Sequence, residues 1–391
     1  MHGLNDFRLD EGVLQDRLRR MRERAGTPEA EATFQRAVDG EVLSADQIAL
    51  LWFSAIETDR LYHAAVEGRR RSAAPLETFS PLYMTNTCDA ECRMCGMRRD
   101  NDSLQRETAD QTDIEAQLGL LHRRGMHAVS LLTGEYRTES RRWALPYVNR
   151  ALRATQEMGF SHVLINVGSI DESEFDVLLD GIERTADGKV RPKMTMCTFQ
   201  ETYSRSRYAR FMGTDPENPR ADYDRRLANF DRSRRAGMRV ANPGVLLGLN
   251  PDLAFELLAL AEHALHLLAH GMEVYLSVPR LRQIAGGQSQ GAVKDADFVR
   301  FLSVLALGLP DAKLVLTTRE SREIQQQLVP IVEVLSAGSA AVAPYTENGA
   351  RFPLETSQFE VIDQRPFEEI LRDHESPGTT IENFVPPQPN G

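Results

Sequence analysis

The apolar positions of the chain change their spacing near residue 78. Before it they recur at helical intervals. Val13, Leu14, Leu18 and Met21 share one face, and Ser44 with Gln47 forms a capping box ahead of the apolar run 48–53. After it, eight short apolar runs (79–85, 127–133, 162–167, 193–199, 240–247, 273–278, 313–317 and 331–335) predict strands. Amphipathic stretches near 112–125, 139–158, 171–183, 218–236, 252–270, 295–309 and 319–328 predict helices between them. Strand–helix alternation is the signature of a parallel sheet, because each crossover must carry the chain back to the end from which it started. Eight units predict an α/β fold, a closed (β/α)8 TIM-like barrel over residues 76–339. An open doubly wound sheet is the alternative. An N-terminal helical extension (1–75) and a small C-terminal extension (340–391) flank the barrel. The latter is expected to hold a loop at 342–345, a short strand at 357–362, a helix near 367–373 and a disordered Pro-rich tail at 386–391.

The polar residues fall where such a barrel needs them. Each predicted strand ends in groups able to do chemistry: Thr133, Gly134 and Glu135 after the second, Asn166 and Gly168 after the third, and Gln200, Glu201, Thr202 and Tyr203 after the fourth. Gly248 and Asn250 follow the fifth, Ser277 to Arg280 the sixth, Thr317 to Glu320 the seventh, and Ser336 to Ser339 the eighth. Active sites of parallel barrels are assembled from those ends. Arg319 offers a planar fork suited to a carboxylate, with an ion pair to Glu320 as the plain alternative. Ser336 and Ser339 could donate hydrogen bonds to the same ligand, although a simple turn accounts for Ser339. Arg226, on a predicted helix, would by default face solvent.

Three of the four cysteines, Cys88, Cys92 and Cys95, fall within eight residues directly after the first strand, spaced C-x3-C-x2-C. Thiolates gathered so closely select a soft metal, and three ligands leave one corner of an iron–sulfur cubane free for a small molecule. A structural zinc site would close with a fourth ligand. Cys197 sits in an apolar strand, where a buried small hydrophobe is the ordinary reading. Four cysteines, three of them clustered, form no disulfide framework and suit a reducing interior. The net charge of −11 argues against a nucleic-acid partner. Arg93, Arg98 and Arg99 beside the cysteines are a local basic exception that could dock an acidic electron donor. The most apolar stretch, 253–270, carries Glu256, Glu262, His263 and His266, so it reads as a packed helix rather than a membrane span. No basic and apolar leader opens the chain, and a cytoplasmic protein is expected.

The cysteine triplet and the Gly134–Glu135 pair resemble the radical S-adenosylmethionine superfamily. The segments QETY (200–203), DYDRRL (222–227), SVPR (277–280), TRE (318–320) and SAGS (336–339) narrow the resemblance to its aromatic amino-acid lyases. PLYMTN (81–86), CGMR (95–98), LTGEY (132–136), ANPGV (241–245), LVLTTRE (314–320) and VAPY (342–345) are similar to the tryptophan-lyase type of thiopeptide biosynthesis. That similarity spans roughly residues 40 to 385. Tyrosine-type members carry a Gly-Gly-Tyr-type sequence after SAGS, and residues 340–345 depart from it.

The resemblance implies a [4Fe–4S] cluster on Cys88, Cys92 and Cys95, S-adenosyl-L-methionine as cofactor, and hydrogen abstraction from the amine of L-tryptophan to give 3-methyl-2-indolic acid. It implies that Arg319 binds the substrate carboxylate, Ser336 helps hold the amine, and Tyr83 lines the pocket. Gly134, Glu135, Glu201 and Arg226 would orient S-adenosylmethionine. A flavodoxin or ferredoxin would supply the electron. The expected partner is thus a small aromatic amino acid, with neither nucleic acid nor membrane involved. The alternatives are a lyase acting on tyrosine or another aromatic amino acid, and a zinc-binding structural module closed by Cys197.

Overall fold

The computed structural model describes residues 6–186, 188, 190–287, 292–347, 349, 352–375 and 380–387. Its centre is a closed ring of eight parallel strands: β1 (Leu76–Tyr83), β2 (Ala128–Leu132), β3 (His162–Asn166), β4 (Lys193–Cys197), β5 (Val240–Asn242), β6 (Glu273–Ser277), β7 (Ala312–Thr317) and β8 (Val334–Ser336). Each strand pairs with the next, and β1 pairs with both β8 and β2, which closes the (β/α)8 TIM-like barrel. A ninth strand, β9 (Ile381–Glu382), extends the start of β1.

Four helices precede the barrel: α1 (Glu11–Arg24), α2 (Pro28–Val38), α3 (Ala45–Phe53) and α4 (Thr58–Ser72). The capping box expected at Ser44 opens α3: Gln47 N–H donates to the Ser44 hydroxyl at 3.3 Å, and Ser44 N–H donates back to Gln47 Oε1 at 3.0 Å. Between the strands run α5 (Gln111–Arg123), α6 (Thr138–Glu157), α7 (Glu174–Leu178), α8 (Arg205–Met212), α9 (Tyr223–Leu227), α10 (Asn229–Arg235), α11 (Leu253–Ala269), α12 (Asp295–Gly308) and α13 (Arg322–Leu328). After β8 comes α14 (Phe367–Arg372). Among the described residues no helix is long and apolar enough to cross a membrane.

Several elements differ from expectation for local reasons. The expected strand 240–247 stops at Asn242, because Pro243 has no N–H to give the ladder. The helix near 218–236 breaks at Ala228 into α9 and α10, and the one near 171–183 shortens to α7. The last strand starts at Val334, after a 3-10 turn at Val329–Ile331 that contains Pro330. The strand expected at 357–362 does not form. At the upper ends of the strands the closed ring offers that segment no free edge, so it crosses the mouth instead, with Glu360 N–H on Gln283 O and Ile362 and Asp363 N–H on Thr318 O. Residues 388–391 of the expected tail lie outside the described residues.

Because side chains alternate along a strand, every second one points inward. One residue from each strand builds a compact interior cluster: Phe79, Ala128, Leu164, Cys197, Val240, Tyr275, Val315 and Val334. Below it lies a floor of paired charges. Glu77 accepts from Lys313 Nζ and from the Tyr275 hydroxyl. Lys193 Nζ donates to Glu273 at 2.9 Å and to the Tyr275 hydroxyl at 2.8 Å.

α12 joins the N-terminal helices to the barrel. The Arg300 guanidinium donates to Leu51 O, Trp52 O, Ser54 O and Ile56 O, at 2.8 to 3.1 Å, and so satisfies the free carbonyls at the end of α3. Arg300→Met should therefore lower stability by about 2 kcal/mol, the scale of losing charge-assisted hydrogen bonds at part-buried carbonyls. Thermal or denaturant melts would read this, and an unchanged midpoint would mean that water replaces the guanidinium.

Candidate active site

Above the interior cluster the inward positions turn polar: Ser130 on β2, Asn166 on β3, Asn242 on β5, Ser277 on β6, Thr317 on β7 and Ser336 on β8. They line a cavity at the C-terminal ends of the strands, together with Pro81, Tyr83 and the cysteine loop.

That loop follows β1 directly and is fixed by polar side chains beneath it. Asn86 Nδ2 donates to Gln105 O at 2.8 Å and Thr356 O at 3.1 Å, while its Oδ1 accepts from Glu107 N–H at 2.7 Å. Arg106 donates to Asn86 O and Met97 O at 2.8 Å each, and to Arg98 O at 2.6 Å. Gly134 lets the β2 loop press against it, since a Cβ there would lie 2.1 Å from Thr87 O. Cys92 is buried, Cys88 and Cys95 are half-buried, and all three line the cavity.

Burial pushes the Cys88 thiol up to about 12 and raises Cys92 and Cys95 as well; at the latter two the nearby Arg220 charge opposes it. Buried thiols of this kind stay protonated unless a cation replaces the proton. N–H donors are already aimed at the sulfurs: Glu135 N–H at 3.3 Å and Ala90 N–H at 3.4 Å on Cys88 Sγ, and Gln358 Nε2 at 3.5 Å on Cys95 Sγ. Such donors suit a metal-bound thiolate, so the loop fits a cluster ligand set. Among the described residues no three His, Cys, Asp or Glu side chains gather closely enough to hold one ion. Three cysteine ligands match a cluster that keeps one iron open, whereas a structural zinc site takes four protein ligands. Cys197 belongs to the interior cluster, and its Sγ accepts from Asn242 Nδ2 at 3.6 Å.

Beside the cysteines lies a buried lattice of charges. Glu135 accepts from Ser169 N–H at 3.0 Å and from Arg226 Nη1 at 2.7 Å, with Arg220 Nε 3.3 Å away. Arg220 Nη2 donates to Glu201 at 2.8 Å, and Arg226 Nε donates to Phe199 O at 2.6 Å. Gly168 (φ 78°) passes so close that a Cβ would lie 2.5 Å from the Glu135 side chain. Arg226 is thus buried, against the expectation for a helix surface. Arg220 is not among the expected site residues: the helix expected near 218–236 includes it on an ordinary helical face, whereas it stands in a turn before α9. Glu201 has φ 68°, a conformation costly to a side-chain-bearing residue. The next two residues anchor it to Glu256 on α11, which accepts from the Thr202 hydroxyl at 2.6 Å, Tyr203 N–H at 2.9 Å and Asn250 Nδ2 at 2.8 Å.

Across the cavity stands Arg319, half-buried, its guanidinium 3.3 Å above the centre of the Phe359 ring. Among the described residues no carboxylate pairs with it. The pairing expected with Glu320 does not occur, because Arg280 and Arg282 take that carboxylate, the latter at 2.8 Å. Tyr83 donates to Gln358 Oε1 at 2.5 Å. Ser336 lines the cavity. Ser339 is held in a turn, its hydroxyl donating to Ala341 O at 3.2 Å and its N–H donating to the Tyr345 hydroxyl at 2.9 Å. Gln358 and Phe359 were read as part of a strand and so were missed as cavity residues. Of the basic trio, Arg98 lies 3.2 Å from Asp100 and Arg99 pairs with Glu91, which leaves Arg93 as the exposed cation without an acidic partner among the described residues.

No protein-family model matches the chain. It is 28% identical over 310 residues to 2-iminoacetate synthase of Escherichia coli K12, covering 77% of this chain and 76% of that protein. It is 27% identical over 311 residues to the Salmonella typhimurium LT2 protein of the same description, with the same coverage. Among solved structures, HydG, a maturase of the [FeFe]-hydrogenase, superposes with a TM-score of 0.80 at 25% identity, over 93% of this chain and 78% of that one. Methylornithine synthase superposes at 0.68 and 16% identity, over 89% and 97%, a likeness of fold.

Burial raises Glu256 to about 7, outweighing the hydrogen bonds it accepts. The folded state therefore keeps a proton that the unfolded chain releases near 4.5. The stability tied to that proton is fully present below the unfolded value and is lost as pH rises from about 4.5 to 7. Glu256→Gln should flatten that part of a stability-against-pH curve measured by melting; an unaltered slope would assign the dependence to other groups.

Proposed function

We propose that this chain is a radical S-adenosylmethionine lyase of the aromatic amino-acid lyase superfamily, which fragments a free aromatic α-amino acid about its Cα. The observation that carries this reading is one cavity with three cysteines on one wall and, on another, a guanidinium that no carboxylate of the described chain neutralises. The cofactors are a [4Fe–4S] cluster and S-adenosylmethionine, whose one-electron reductive cleavage supplies a 5′-deoxyadenosyl radical able to take a hydrogen atom from the substrate.

The protein's own residues position and enclose. Cys88, Cys92 and Cys95 hold the cluster, each exchanging its proton for iron. Gly134, Glu135, Glu201 and Arg226 form the wall that orients S-adenosylmethionine; the Glu135–Arg226 ion pair and Arg220, set between Glu135 and Glu201, keep it rigid. Arg319, supported from below by Phe359, grips the substrate carboxylate with its fork. Ser336 and Tyr83 take the amine. Holding both polar ends of the amino acid presents an N–H bond rather than a weaker C–H bond to the radical, so orientation decides the site of abstraction. A flavodoxin- or ferredoxin-type donor supplies the electron.

Two rings compete for the pocket. The product named for the curated relatives, 2-iminoacetate, keeps only the nitrogen, Cα and carboxyl carbon of an amino acid. This supports Cα–Cβ cleavage of tyrosine or another aromatic amino acid. The tryptophan reading, with 3-methyl-2-indolic acid as product, is supported by the loop after Ser339. Ala340 lines the cavity there, and Tyr345 closes the loop onto β1 by donating to Pro81 O at 2.7 Å, so the departure of residues 340–345 from the tyrosine-type sequence alters the cavity wall.

Reconstituted protein under anaerobic conditions, given S-adenosylmethionine, a reductant and either amino acid, should form 5′-deoxyadenosine and one fragmented product identifiable by mass spectrometry. Fragmentation of neither amino acid would reject the function. Cys92→Ala should stay folded yet lose the brown cluster absorbance and all 5′-deoxyadenosine formation. Arg319→Lys keeps the charge but loses the fork, and should weaken amino-acid binding by about tenfold or more; equal affinity and an equal product pattern would remove Arg319 from carboxylate recognition.

A further inference from the structure

We infer that Gln358 is a positioning residue that reads the state of Cys95 and sets the direction of the Tyr83 hydroxyl proton. The inference rests on the lyase reading above, and it concerns a residue outside every motif of the barrel.

The segment carrying Gln358 crosses the cavity mouth and is tied down on both sides. Gly96 N–H, in the cysteine loop, donates to Gln358 O at 2.8 Å. A Cβ on Gly96 would meet the carbonyl oxygens of Ser357 and Gln358 at 2.8 Å each, so only glycine allows this approach. On the far side Ile362 and Asp363 N–H reach Thr318 O at 3.2 and 3.1 Å, next to Arg319. The Gln358 amide is thereby held between Cys95 Sγ, 3.5 Å from Nε2, and the Tyr83 hydroxyl, 2.5 Å from Oε1.

The chemistry of the donors and acceptors then runs in one direction. A thiolate that ligates iron has no proton and can only accept, so the amide must turn Nε2 toward Cys95. Its Oε1 then faces Tyr83 and can only accept, so the tyrosine must donate its one proton there. What Tyr83 has left is a lone pair, and it is available beside Arg319. That pair of groups recognises a carboxylate together with an N–H donor, the head of an α-amino acid, and disfavours a 2-oxo acid, which has only acceptors at the same place. Phe359, the next residue, supports Arg319. One dipeptide of the C-terminal extension therefore touches a cluster ligand and two of the three substrate-binding residues, Tyr83 and Arg319.

Three variants of the reconstituted holoprotein test this: Gln358→Met, Gln358→Glu and Tyr83→Phe, each with its melting temperature checked. The readouts are the amino-acid dissociation constant by calorimetry and the cluster midpoint potential by redox-poised electron paramagnetic resonance. Gln358→Met removes both bonds, and should weaken amino-acid binding by about tenfold and shift the potential negative, since N–H donors to cluster sulfur raise it. Gln358→Glu keeps the acceptor for Tyr83 and loses the donor to Cys95, so affinity should stay near that of the unaltered protein while the potential falls. Tyr83→Phe should weaken binding as Gln358→Met does and leave the potential unchanged, and the Tyr83→Phe/Gln358→Met double variant should bind no more weakly than either single variant. Equal affinity losses in the Met and Glu variants, additive losses in the double variant, or an unmoved potential in both Gln358 variants would overturn the inference. Failure of the unaltered holoprotein to bind any aromatic amino acid would instead overturn the lyase reading.

Discussion

Closure of eight parallel strands is the constraint on which the rest depends. Once β1 pairs with both β8 and β2, every second side chain of every strand must enter a cylinder too narrow for solvent. The layers then sort by what can be satisfied there. Charges at the bottom neutralise one another through Glu77, Lys193, Glu273 and Lys313. Eight mainly apolar side chains fill the middle. Only at the upper ends, where loops supply further partners, is there room for a cavity lined with unspent polar groups.

The same burial governs the electrostatics of the mouth. Arg220 and Arg226 are tolerable inside the protein because Glu135 and Glu201 face them, and those carboxylates are tolerable for the reciprocal reason. This mutual neutralisation fixes the loops after β2 and β4 relative to each other. Arg319 is the contrast. Its charge is supported by an aromatic face rather than balanced by an acid, which leaves its fork available to an incoming carboxylate.

The barrel was legible in the sequence because its signals are local. All eight strands lie within the apolar runs or within a few residues of them, and the cysteine loop falls directly after the first. Glu135 was legible through its neighbour Gly134, and Arg319 and Ser336 through their place at strand ends. Arg220, Gln358 and Phe359 were not, because each reaches the cavity from an irregular segment whose path is set by tertiary hydrogen bonds: Arg220 from the loop before α9, and the other two from chain crossing the mouth. The strand expected at 357–362 failed for the same cause. Its apolar alternation is real, but at the upper rim, where the segment runs, the closed sheet has no edge to receive it, so backbone that would have paired with a strand bonds to Gln283 O and Thr318 O instead. Periodicity reports which faces are greasy, and cannot report which partner is vacant.

The charged floor has a consequence for traffic. A plug of interlocked Lys and Glu side chains, joined by the Tyr275 hydroxyl, makes a poor doorway, so the cavity above the interior cluster is reached from the upper opening alone. The cavity is thus a blind pocket, closed at its base by paired charges and open only toward the loops that follow the strands.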